Sequence, residues 1–304
     1  MKEANSSKTE WKQDNHWAIY VDILGSSKRL EAAGKNVYNL LEIAKDTESF
    51  YNEFVDYFYK KYDQQSSLGK VYTFSDGVYI SIPENKKDWE DLDDYERVRE
   101  KLVDVGFAQT RLIIGHGLFL RGGIFCGKRV YDINETVEAS SAYYKAYKIE
   151  EEEAEYPIVK LDQSTAQKVY SLPGVKTYND NWEPKTPGSI FWKATISDSE
   201  DIYFLDYLQC FFSVCGDDFG KDDHYNALSN HKIQIIKAYK ENADNLRVAL
   251  KYAFLAHKYH NEYVEWKSKM LCLESFKDLL IKETEVPFFE SLKKQIKTAK
   301  ENSH

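Results

Sequence analysis

Two aspartates in this chain have the types of neighbours that metal-assisted phosphate chemistry needs. Asp22 closes the apolar run HWAIYVDILG, with Gly25 three residues behind it, and Asp76 sits in KVYTFSDGVYISIP, where Ser75-Asp76-Gly77 is a turn signal between two runs rich in β-branched and aromatic residues. Each carboxylate therefore stands at the end of an expected strand, with a glycine that lets the chain turn. In phosphate chemistry Mg2+ takes one or two carboxylates plus substrate oxygens more readily than a full protein cage, so the pair suits two divalent metal ions, Mg2+ or Mn2+. The plainer alternative for both is a turn or cap aspartate. Gly25, Ser26 and Ser27 precede an expected helix. Its first backbone N–H groups would receive phosphate oxygens, unless a serine there merely caps the helix.

The elements that must position these residues follow from pattern. A strand is expected over 17–23, then two helices across 28–61, the 70–83 hairpin, an acidic connection over 84–94, and an amphipathic helix from 95 to 116 that ends at Gly115 and Gly117. A strand over 118–126 is expected to turn at Gly127 into a return strand over 128–131. Gly122 and Gly123 inside that strand signal the close approach of a ligand or another backbone. A helix over 138–155, broken before Pro157, a strand over 158–161, a short helix over 164–170, a loop over 173–188 and a strand over 202–208 complete an α/β part assigned to 14–212. Beyond Asp223 the periodicity is helical throughout, and 213–304 is expected to form a C-terminal helical extension.

Composition bounds the function. At 304 residues with 42% hydrophobic residues the chain can bury a proper core, and 23 Tyr with 16 Phe predict aromatic-rich packing. A net charge of −9 and a pI near 5.4 argue against general affinity for nucleic acid or an anionic membrane, so an anionic substrate would need a local cluster of cations or metal. Cys126, Cys210, Cys215 and Cys272 are scattered without zinc-site spacing and are expected to be reduced thiols. The polar N-terminus and the absence of an eighteen-residue apolar run lead to the expectation of a cytoplasmic protein without a membrane span.

The order strand with Asp, helices, hairpin with Asp, helix, hairpin, helix, strand resembles the class III nucleotide cyclase catalytic domain, an α+β, ferredoxin-like βαββαβ fold with additions. YVDILG, YTFSDGVYIS, LRGGIFCG, AYKIEEEEAEYP and KYAFLAHKYHN in this order are similar to the bacterial pyrimidine cyclases of Pycsar antiphage defence, over 17–261. The resemblance implies conversion of UTP or CTP to a 3′,5′-cyclic monophosphate and pyrophosphate by a homodimer with sites between subunits, whose product acts on a separate effector. It also implies that one ion activates the ribose 3′-hydroxyl, that the second holds the triphosphate, and that the Ile23 carbonyl completes the metal shell. Lys128, or Arg129 in its place, would meet the distal phosphates, although either can be an exposed hairpin charge. Tyr144 and Lys148 fall where purine cyclases carry a transition-state Asn and Arg, and Lys148 would act as a point charge rather than a bidentate fork. Tyr72, four residues before Asp76, falls at the base-reading position, where a tyrosine narrows the pocket to a pyrimidine; otherwise it is a core tyrosine. The chain departs from the family in having no Arg between Pro157 and Ile158. Two other classes compete: a cyclase-like nucleotide-binding sensor with reduced turnover, and another palm-type nucleotidyltransferase.

Overall fold

In the computed structural model the described residues are 10–25, 30–31, 33–34, 36–50, 52, 70–73, 77–84, 94–132, 138–171, 190–197, 200–216 and 219–301. Ser26, Ser27 and Asp76 lie outside them, as does most of 51–69, where the second of the expected early helices falls.

The chain is an α+β fold with a mixed sheet. β1 (Trp11–Ile23) is followed by α1 (Val37–Phe50), the hairpin strands β2 (Lys70–Thr73) and β3 (Gly77–Pro83), α2 (Asp94–His116) and β4 (Leu120–Asp132). Among the described residues the sheet order begins β2-β3-β1-β4, with every neighbouring pair antiparallel. That is the strand order of a ferredoxin-like βαββαβ core, in which each helical crossover returns the chain to a strand parallel to the last. β6 (Val159–Leu161) extends the sheet parallel to β4, and β8 (Glu200–Leu205) and β7 (Phe191–Ser197) complete it.

Alternation along β1 separates two layers. Trp17, Ile19, Val21 and Ile23 are buried in a cluster with Leu102, Val105, Ala108 and Leu112 of α2, so α2 covers that face. Ala18 and Tyr20 turn to the opposite face, which is covered by α3 (Ser141–Lys148) and its π-helical continuation Ile149–Glu153.

Three expectations are corrected. β1 begins six residues before Trp17, because Trp11 to His16 pair with the far half of β4. Gly127 makes no turn: β4 runs straight through it, since Gly127 is itself laddered to His16, and the returning strand is β5 (Glu138–Ser140), paired with Arg129 to Tyr131. The helix expected over 138–155 therefore starts as a strand and ends in a π-turn. β7, with alternating burial, was not expected at all.

α4 (Gln163–Ser171) adds Ala166 and Val169 to the cluster under α2, and the C-terminal part comprises α5 (Tyr207–Cys215), α6 (Lys221–Glu241), α7 (Leu246–Phe254), a π segment Leu255–His260, α8 (Asn261–Leu271) and α9 (Phe289–Glu301). The position 212/213 falls inside α5, and residues on both sides of it share one core cluster: Trp192 and Phe204 of the sheet lie 5.3 Å from the Tyr259 ring, and Tyr207 lies 4.7 Å from it. A polar chain threads this aromatic core. Tyr207 Oη pairs with His231 Nε2 at 2.9 Å, His231 Nδ1 with His260 Nδ1 at 2.9 Å, and His260 Nε2 with the Leu279 carbonyl at 3.0 Å. The Tyr259 hydroxyl donates to Asp206 at 2.7 Å, and Asp206 caps α5 by accepting from the Gln209 amide. Among the described residues no helix is long and apolar enough to cross a membrane.

These buried groups set the pH dependence of stability. Burial lowers His16, His224 and His260 to about 4, and burial with the neighbouring His260 holds His231 well below 6.5. Unfolded, each imidazole charges below about 6.5. The unfolded chain therefore binds more protons between about pH 4 and 6.5, and stability falls as pH drops through that window. Asp206 opposes the trend, because burial raises its carboxyl to about 7 and the folded chain keeps a proton there that the unfolded chain releases above 3.8. Several imidazoles outweigh one carboxyl. Denaturant midpoints are expected to decline from pH 7 to 4.5, with a slope of about 1.4 kcal/mol per pH unit for each net proton; a flat or rising profile would contradict the burial of these rings.

Candidate functional site at the end of β1

Register brings Asp22 opposite two residues, Gly77 on β3 and Arg121 on β4. Directly opposed side chains on one face of a sheet lie about 5 Å apart at Cβ, so Arg121 is Asp22's natural neighbour. Arg121 Nη2 is 4.0 Å from Asp22 Oδ2, and its Nε forms an ion pair at 2.5 Å with Glu150 Oε1. Glu150 is almost fully buried and Asp22 is 16% exposed in its side chain, so this end of the row opens to solvent while its anchor does not. Glu150 sits in the π-turn after α3, where the wider winding re-aims a side chain relative to an α-helix.

Asp22, Ile23, Gly25 and Arg121 share a cavity of about 630 Å3 with Glu42 and Asp46 of α1, His116 at the end of α2, and Lys237 and Lys251 of the C-terminal helices. That volume falls within the roughly 300–1,000 Å3 of small-molecule sites. Gly25 has φ +82, a left-handed conformation that a glycine adopts without strain as the chain leaves β1. Gly77, the residue that follows Asp76 in the chain, is the described end of β3 beside Asp22.

The same sheet face carries a second, drier arrangement farther along β1. His16 is buried between the Ser81 and Ser140 hydroxyls, 2.7 Å from each, and burial, then the Arg129 charge, lowers its pKa to about 4. Arg129 is 4% exposed and binds Asp14 through two nitrogens at 2.7 and 3.0 Å, with Glu138 at 3.5 Å. The Tyr79 hydroxyl donates to Glu138 at 2.9 Å, and burial, then the Glu138 charge, raises its pKa. Ser140 also caps α3 by accepting from the Tyr143 amide at 2.8 Å, so the network fixes where α3 begins.

These contacts decide the fate of the expected site residues. Asp22, Ile23 and Gly25 come together in the cavity. Arg129 does not face it: both its carboxylate partners and its burial commit it to the network. Lys128 is exposed on the other face of β4. Tyr72 stacks on Tyr79 at 5.4 Å and donates to Glu138 at 3.4 Å. It lies two strands across and two residues along from Asp22, a Cα separation of about 12 Å on the same face from strand spacing and rise. Tyr144, 57% exposed, and Lys148 line a separate cavity of about 360 Å3. Lys148 is held 2.8 Å from both Glu151 and Glu152, and those hydrogen bonds raise its pKa.

Arg121, Lys237 and Lys251 line the cavity, as do Glu42, Asp46 and His116, and Glu150 holds Arg121 from the interior; sequence reasoning missed all of them. Arg121 is legible in retrospect, since strand alternation places it on the face of Gly123 and Phe125; the lysines carry no local signal.

Among the described residues no group of three or more His, Cys, Asp or Glu side chains could hold a metal ion. A Mg2+ ion that completes its shell with substrate oxygens and water asks for less, and Asp22 beside Ile23 at the cavity edge is a donor set of that kind.

No family model matches the chain, and no curated protein matches it. Among solved structures it is similar to the catalytic core of a rhodopsin-guanylyl cyclase with converted specificity in complex with ATPalphaS, with a TM-score of 0.37 and 11% identity over 64% of this chain and 98% of that one. The likeness is weak and distant.

The seat of α3 depends on Gly123. A Cβ there would overlap the Ala146 carbonyl oxygen and stand 2.7 Å from Ile149 Cβ, so the mid-strand glycine marks backbone approach, as its position in the sequence suggests. Gly123→Ala is expected to cost about 1–3 kcal/mol by forcing the helix away from the sheet. Urea unfolding measures it, and a variant as stable as the native chain would show that α3 is not seated there.

Proposed function

We propose that this chain is a divalent-metal-dependent nucleotide cyclase that converts a pyrimidine nucleoside triphosphate, UTP or CTP, to its 3′,5′-cyclic monophosphate and pyrophosphate. The observation that carries the reading is the placement of Asp22. It stands one residue before the end of an inner strand of a ferredoxin-like core, lines a 630 Å3 cavity, and has Arg121 on one side and the chain's entry into β3 on the other.

In this reading Asp22, the Ile23 carbonyl and Asp76 hold two ions, Mg2+ or Mn2+. Bound there, the ions would supply Lewis acidity toward the ribose 3′-hydroxyl and charge neutralisation on the triphosphate. Arg121 lines the same cavity, with Nη2 4.0 Å from Asp22 and Nε in an ion pair with Glu150, and so offers a guanidinium to phosphate oxygens. Backbone N–H groups after Gly25, at Ser26 and Ser27, take further phosphate oxygens. Tyr72 reads the base: its ring narrows the pocket to a pyrimidine, and its hydroxyl accepts from N4 of cytosine, or leaves Glu138 to donate to O4 of uracil, so it does not separate UTP from CTP. Lys148 and Tyr144 line a different cavity from Asp22 within one chain. We therefore assign them to the site completed by a second copy in a homodimer, with Lys148 neutralising charge on the α-phosphate.

The engagement of Lys148 by Glu151 and Glu152 favours a second reading, a cyclase-like nucleotide sensor without turnover, since the lysine would have to leave two carboxylates to meet a phosphate.

Incubation of the purified chain with the four NTPs and Mn2+, with products identified by mass, tests the proposal. Cyclic UMP or CMP is expected; binding without product selects the sensor, and linear or cyclic dinucleotides would indicate another nucleotidyltransferase. Asp22→Asn is expected to lower turnover by about 100-fold or more with melting unchanged, because it removes a metal ligand at a partly exposed edge. Mixing Asp22→Asn with Lys148→Met chains should restore part of the activity, and a monomer that turns over would refute the shared site.

A further inference from the structure

The far wall of the Asp22 cavity is built by helices more than two hundred residues along the chain. Lys237 and Glu241 come from α6, and Lys251 and Tyr252 from α7. We propose that the C-terminal helices are part of the binding site, and that Lys237 and Lys251 grip the distal phosphates of a metal-bound triphosphate. The inference deepens the cyclase reading and rests on it for the identity of the nucleotide, though not for the triphosphate.

Three observations support it. The first is how the charges divide. Asp22 of β1 and Glu42 and Asp46 of α1 bring acids to the cavity, though not grouped as a three-ligand metal site, while Arg121 of β4, Lys237 of α6 and Lys251 of α7 bring cations to it, with Glu241 the acid that the C-terminal helices add among the described residues. A triphosphate carries about four negative charges, more than one divalent ion cancels, and lysines serve phosphate as mobile point charges. The second is that the α7 wall is fixed. Tyr252 packs edge-on against Phe119 at 5.2 Å, and the Phe119 carbonyl accepts the Leu24 amide at 2.8 Å, so the residue beside Lys251 is tied to the same chain turn that carries Ile23 and Gly25. The third is that Lys237 is only loosely engaged: its ion pair with Glu241 spans 4.0 Å and both side chains are more than half exposed. An exposed pair of that kind is worth little, so the lysine can turn to an anion at small cost. With a chain charge of −9 the overall field repels a polyanion, which makes local cations necessary for binding.

The probe is inorganic tripolyphosphate with Mn2+, titrated calorimetrically into the full chain, because it carries no base or ribose. Native chain is expected to bind it, and the double variant Lys237→Met, Lys251→Met to bind about tenfold or more weakly, with Lys251→Arg retaining most of the affinity. Equal binding by native chain and double variant would overturn the inference, as would no binding by native chain. A variant-free measurement accompanies it. Acetylation of lysines, read by mass spectrometry, should be suppressed at Lys237 and Lys251 but not at Lys240 of the same helix when Mn2+ and tripolyphosphate are present; unchanged labelling would refute the assignment. If tripolyphosphate binding depends on the two lysines while no cyclic nucleotide forms from any NTP, the phosphate grip stands and the cyclase reading falls.

Discussion

The register of β1 is the constraint on which the rest depends. The strand is laddered on both sides, to β3 from His16 to Asp22 and to β4 along its whole length. Its side chains alternate between an apolar layer under α2 and a mixed layer under α3. A slip of one residue would carry Asp22 into the cluster of Trp17, Ile19, Val21 and Ile23 and expose those four to the other face. The cost of burying an unpaired carboxylate and of exposing a Trp and three β-branched chains holds the register. With the register held, Arg121 and Gly77 are obliged to flank Asp22.

Along the α3 face, polarity is graded. At one end, His16, Ser81, Ser140, Glu138, Arg129 and Tyr79 satisfy one another in a nearly dry network that locks β5 to the sheet and caps α3. At the other, the Arg121–Glu150 pair is anchored in the interior while Asp22 meets the cavity. Between them the helix crosses where Gly123 has no side chain. Buried networks of this type rigidify when every member is satisfied, which suits an element that must hold a π-turn carboxylate in one place.

The C-terminal helices join the sheet as part of its core. Tyr259 touches Trp192, Phe204 and Tyr207, and the two buried histidines bridge α6 to the π segment after α7. Aromatic rings bury large area with few rotors, so they stabilise a wall without the entropy loss of long side chains. This stiffness carries α7 up to the end of β1, where Tyr252 meets Phe119.

Much of this was legible in the chain itself. The Asp22 strand, the 70–83 hairpin, the helix ending at Gly117, the close approach at Gly122-Gly123 and the helical C-terminal part all follow from side-chain period and turn chemistry, which are properties of neighbouring residues. What lay beyond the sequence depended on residues distant along it. Gly127 has the local chemistry of a turn, yet it continues β4 because β1 offers it a ladder partner. Arg129 reads as an exposed hairpin charge until Asp14 and Glu138 are seen closing on it from two other strands. Lys237 and Lys251 look like solvated helix residues; only the tertiary packing of the C-terminal helices, with Tyr252 against Phe119, brings them to the cavity that Asp22 lines. Local propensity determines which elements form. Which charges face one another is decided by register and burial, through contacts whose energies exist only once the sheet and helices have assembled.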